Sequence, residues 1–132
     1  ITNAPCNSTQ DDVIVTNSST NTWIGGTSID WNTGANWCGG VPTSGSNVVI
    51  PSGTTFSPSI YQTANAVANS VNIANGASLS MFNAYALSIT SGGSITTNSS
   101  GAFSAGDGTV NFLGSGTITG ATNGITVNTS VT

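Results

Sequence analysis

The side chains of this sequence that could do chemistry are few enough to take one at a time. Asp11, Asp12, Asp30 and Asp107 are its only charged residues, and it has no Lys, Arg or His. Without His or Lys there is no base for a serine or cysteine nucleophile and no amine for a Schiff base. Two carboxyl groups would suffice for glycoside hydrolysis. However, Asp11 and Asp12 are adjacent and would point to opposite sides of a strand. Asp30 stands directly before Trp31, and Asp107 lies between two glycines, where Asp favours a turn. Asp107 with nearby carbonyls would make only a single-carboxylate calcium site, so the turn is the better reading. The expectation is a chain that is not an enzyme and that carries no cofactor and no metal.

The other reactive or sticky groups point outside the cell. The two cysteines, Cys6 and Cys38, favour one disulfide in an exported chain. A zinc site is disfavoured, since no His or carboxylate cluster completes it. Asn-x-Ser/Thr acceptor sequences occur at Asn7, Asn17, Asn98 and Asn128, sites for covalent glycans on a secreted chain. The sequence begins at Ile1, with no basic or apolar leader, as expected after removal of a signal peptide. Trp23, Trp31 and Trp37 admit two roles. They could stack on sugar rings, or they could cap one end of a repetitive fold, burying apolar area where the repeat has no neighbour; capping is favoured.

Composition narrows the partners. Only 3% of the 132 residues are charged, against roughly a quarter in ordinary soluble domains. Nucleic acid is excluded, because nothing here neutralises phosphate. No apolar run approaches the roughly 18–20 residues of a membrane-spanning helix. Ser, Thr, Asn and Gly supply 74 residues, yet 36% are hydrophobic, so the chain folds rather than staying disordered. A net charge of −4 leaves copies little mutual repulsion.

The elements that must position these groups read as strands. Residues 1–21 form a polar arm with one apolar run, Val13-Ile14-Val15, a candidate strand tethered by Thr16 to Asn21. Residues 22–132 read as one all-β domain: a Trp-rich block over 22–51, ending on the strand Val48-Val49-Ile50 before Pro51, then repeats over 52–132. In the repeats, apolar residues recur at Val71, Leu79, Leu87, Ile95, Phe103, Val110, Ile118 and Ile125, seven or eight apart. Most have an apolar or small partner two positions on, with a polar residue between, which is the pattern of a short half-buried strand. Glycine and asparagine between the strands suit tight corners. A β-sandwich and a β-solenoid both fit. Short strands of nearly equal spacing favour the solenoid, while the Asn-Gly turns would also suit sandwich hairpins.

The block Thr22-Trp23-Ile24-Gly25, Asp30-Trp31-Asn32, Asn36-Trp37-Cys38-Gly39-Gly40-Val41-Pro42 and Val48-Val49-Ile50-Pro51 resembles a TWxG…DWN…NWxGGVP…IP block of large secreted surface proteins from Bacteroidetes-type bacteria. There it precedes Gly/Asn/Thr-rich β repeats, and the resemblance runs over about residues 22–128. It implies secretion, a cell-surface location and a β-helical build, and brings no catalytic residues. Cys38 and the N-terminal arm depart from the pattern.

The function expected from these readings is structural: the repeating subunit of an extracellular surface filament. Copies would join head to tail, with Val13, Ile14 and Val15 donated to an open strand edge of the next copy. The alternative is a glycan-binding or adhesin module using Trp23, Trp31 and Trp37.

Overall fold

A computed structural model of the chain describes residues 19–61, 64–98, 102–120, 122–123 and 126–129. It is all-β, and the architecture is the solenoid. Beyond β1 (Ser19–Trp23) and β2 (Trp37–Cys38), the strands come in threes. The first turn is β3 (Ser46–Ile50), β4 (Ser59–Ile60) and β5 (Ala66–Ala68), and the second β6 (Ser70–Ile73), β7 (Ser78–Met81) and β8 (Ala86–Thr90). The third turn is β9 (Ser94–Thr97), β10 (Ala102–Ser104) and β11 (Thr109–Leu113), and the fourth β12 (Thr117–Thr119), β13 (Thr122–Asn123) and β14 (Thr126–Thr129). Each turn gives one strand to each of three sheets. Sheet A runs β12-β9-β6-β3-β1-β2, sheet B β13-β10-β7-β4 and sheet C β14-β11-β8-β5. All of these pairings are parallel except that of β1 with β2.

The eight-residue spacing is one side of this three-sided coil. Val71, Ile95 and Ile118 lie in register in sheet A, Leu79 and Phe103 in sheet B, and Leu87 and Val110 in sheet C. Because side chains alternate across a strand, each short strand turns about two residues inward, and parallel register stacks them into columns. Val48, Val71 and Ile95 form one buried column, and Ala68, Ile89 and Phe112 another. Burying each large aliphatic side chain contributes about 1.5–3 kcal/mol, which is what holds strands this short in place.

Polar residues occupy the corners. Asn69 lies between β5 and β6; its Nδ2 donates to Asn47 Oδ1 (2.7 Å), and its Oδ1 accepts from the Thr90 hydroxyl (2.6 Å). The ladder links the first and second turns along one corner. Gly93, at the same corner one turn on, has no room for a side chain, since a Cβ there would collide with the carbonyl oxygen of Asn69.

The regular spacing fails in the fourth turn. Gly120 takes a left-handed φ of 104° just after β12, a conformation that costs glycine little. The chain therefore reaches sheet B at Thr122, in register with Phe103, and Val127 is the residue opposite Val110. Ile125, the expected inward residue, lies outside the described residues. The start of the domain also differs from expectation. Ser19, Thr20 and Asn21 are not tether but the first residues of β1, in register with Ser46, Asn47 and Val48. Their polar side chains carry no strand pattern; sheet pairing with β3 decides the matter.

Among the described residues the one helical element is a 3-10 turn, Gly34–Asn36. No helix is long and apolar enough to cross a membrane.

Candidate functional site

The two ends of the solenoid are where this fold can do something its sides cannot, and the tryptophans build one of them. Trp23 closes β1, Trp37 opens β2, and the two strands pair antiparallel at those residues. The Trp37 ring sits edge-on to both others, its centroid 4.9 Å from Trp23 and 4.7 Å from Trp31. Trp23 Nε1 donates to the Phe56 carbonyl and Trp37 Nε1 to the Trp31 carbonyl, both at 2.6 Å. Gly25 is glycine because that first bond passes over it. A Cβ on Gly25 would meet the Phe56 oxygen and lie 2.5 Å from Trp23 Nε1, and its φ is +52°.

The segment between the strands carries the cap across the end. Ser59 N–H donates to the Ile29 carbonyl (2.6 Å) and Trp31 N–H to the Ser59 carbonyl (2.9 Å), so Asp30 forms a parallel bridge onto β4. Asn32 Nδ2 reaches the Ala64 carbonyl (2.9 Å), beside the start of β5. Asn36 holds the segment together. Its Oδ1 accepts from the backbone N–H groups of Thr27 and Ser28, and its Nδ2 donates to Ser28 Oγ and the Asp30 carbonyl, all at 3.0 Å. Asn36 is fully buried; the sequence offered no sign of it beyond its place before Trp37.

This geometry bears on the two roles open to the tryptophans. Trp23 and Trp31 are 0% exposed and Trp37 4%. A ring must present a face to stack on a sugar, and these rings spend theirs on one another and on the core. Their burial fits the favoured capping role and leaves no ring face open for stacking on a sugar.

The remaining site residues fall apart in space. Asp30 accepts from Asn32 N–H (3.1 Å) and the Thr33 hydroxyl (2.9 Å), closing a local turn. Asp107 is exposed in the turn between β10 and β11, closed by Gly108 N–H donating to the Ala105 carbonyl (2.7 Å). Asp11 and Asp12 lie outside the described residues. Among the described residues no three metal-ligating side chains gather. Cys38 is disulfide-bonded; Cys6, the other cysteine of the sequence, lies outside the described residues. Asn98 is exposed, but its Nδ2 donates to Asn72 Oδ1 and the Ile73 carbonyl, both at 3.0 Å, and a glycan on that nitrogen would displace one of these bonds. Asn128 is in β14, in register with Asn111. Asn7 and Asn17 lie outside the described residues, as do Val13, Ile14 and Val15.

At the far end, β12, β13 and β14 are the last strands of their sheets among the described residues. Natural edge strands are normally guarded by charge or proline. Residues 113–132 contain neither.

The model of a domain of unknown function, DUF8693, matches residues 22–125. The chain belongs to this family. The DUF8693 match opens inside β1 and closes in the fourth turn, so it takes in the Trp cap and leaves residues 1–21 outside. No curated protein and no solved structure gives a significant match.

Proposed function

We propose that this DUF8693 chain is a non-enzymatic, extracellular structural protein, the repeating subunit of a surface filament assembled by donation of its N-terminal strand. The observation that carries the reading is the contrast between the ends. One is closed by the Trp cap over sheets A and B; at the other, β12, β13 and β14 are the last strands of their sheets among the described residues, and residues 113–132 carry no charge and no proline. An edge of that kind is a template for a further strand. The contact joins unlike surfaces, so it propagates into an open filament unless its rotation closes a ring. Glycans attached at the acceptor asparagines would hydrate a surface that has almost no charge. Burial of the three tryptophans favours the structural reading over the adhesin alternative.

Deletion of residues 1–18 tests the reading, since it removes Val13 to Val15 and spares β1. Both chains are compared in reducing buffer, because the deletion also removes Cys6. The full chain should form filaments, whereas the shortened chain should keep its β circular dichroism and scatter light as a monomer. Filaments from the shortened chain would refute strand donation by the arm.

A further inference from the structure

The longer of the solenoid's two corner spacings matches the candidate donor strand to one sheet and one register. In the second and third turns, sheet C passes into sheet A through three residues, Ser91 to Gly93 and Gly114 to Gly116. In those two turns the first inward residue of the sheet C strand stands eight positions before the inward residue of the next sheet A strand, Leu87 before Ile95 and Val110 before Ile118. At the first such corner, made by Asn69 alone, Ala66 stands five positions before Val71. In β1 the residue in that column is Asn21, in register with Val48 and buried. Eight positions before Asn21 is Val13. Three residues, Thr16 to Ser18, separate Val15 from β1. With the eight-position spacing the apolar run would be a sheet C strand with Val13 and Val15 in the two inward columns and Ile14 facing out, whereas the five-position spacing would put the polar Thr16 and Ser18 there. Only the first gives apolar inward residues.

The same geometry says which chain it pairs with. Each sheet C strand leads into the sheet A strand of the following turn: β5 into β6, β8 into β9, β11 into β12. Since β5 leads into β6, and β3 lies between β6 and β1, a strand leading into β1 sits two levels from β5. Such a strand would therefore not lie beside β5; it would share the level of β2, on the outer side of the cap.

Resting on the filament reading above, we propose that Val13–Val15 pairs in parallel with β14 of a second copy. The register is Val13 with Val127, Ile14 with Asn128 and Val15 with Thr129, which continues the columns Leu87–Val110–Val127 and Ile89–Phe112–Thr129. The same docking brings β2 against the partner's β12, so sheet A runs on from copy to copy.

Cysteine cross-linking of the full chain decides it. Chains carrying Ile14→Cys are mixed with chains carrying Asn128→Cys, assembled and oxidised. The expected product is a disulfide-linked dimer on a non-reducing gel, and neither variant alone should give it. A separate double variant, Ile14→Cys with Val67→Cys, probes pairing with β5 of the same chain. An intrachain disulfide there, in a protein that stays monomeric, would overturn this register and strand donation together. Filaments that form without the mixed dimer would overturn the sheet C assignment and leave donation to another edge standing.

Discussion

Replacing Trp37 with alanine should destabilise the protein by about 3–5 kcal/mol, the usual loss when a large buried aromatic is truncated. Trp37 is the ring that touches both other tryptophans, and its Nε1 ties β2 to the Trp31 carbonyl. The loss should be local first. In hydrogen exchange, the amides of Ile24 and Trp31, which bond to the Asn36 and Ser59 carbonyls, should lose protection while those of β8 keep theirs. Phenylalanine variants sharpen the test. Trp31 Nε1 has no acceptor among the described residues, so Trp31→Phe sacrifices no hydrogen bond, whereas Trp37→Phe loses one. Trp37→Phe should be the more costly of the two, by about 1 kcal/mol. Equal or reversed costs, in matched denaturant melts, would mean that the cap is not held as described.

The second large effect is expected at Asn36. Alanine there removes all four of its hydrogen bonds at once and leaves the groups of Thr27, Ser28 and Asp30 to find other partners. A buried polar group left unpaired costs about 1–3 kcal/mol. Because Thr27 is exposed and Ser28 half-buried, water recovers part of that, and a total of about 2–4 kcal/mol is expected from the denaturation midpoint at unchanged m-value. A loss below about 1 kcal/mol would show that the cap segment holds its shape without the asparagine.

The turns of the solenoid were legible because their signal is repetitive. Two inward residues per side and a corner every eight residues recur from Val71 to Val110, and a recurrent apolar pattern reports burial directly. What escaped the sequence is held by polar atoms. Ser19, Thr20 and Asn21 read as linker, yet they form a strand; the inward Asn21 is tolerated because its Nδ2 donates to the Gly40 carbonyl at 2.7 Å. Asn36 is invisible for the same reason, since nothing in an Asn reports that four partners converge on it. The fourth turn departs from the period because Gly120 turns the chain early, and a glycine marks a place to turn without fixing how sharply. The tryptophans were legible as large apolar residues ahead of the first turn. Whether they faced a ligand or one another was a matter of orientation, which composition does not carry.

Central to this account is end-to-end stacking in which the strands of one copy continue those of the next. Among the described residues sheet A holds six strands. At the ordinary inter-strand spacing of about 4.8 Å, a continuous sheet gives an axial repeat of about 29 Å per subunit. Electron cryomicroscopy of filaments grown from the full chain measures that repeat directly. A repeat of about 29 Å is expected, with strands perpendicular to the filament axis. A chain that stays a 13.0 kDa monomer at every concentration would contradict it, as would filaments with a clearly different repeat.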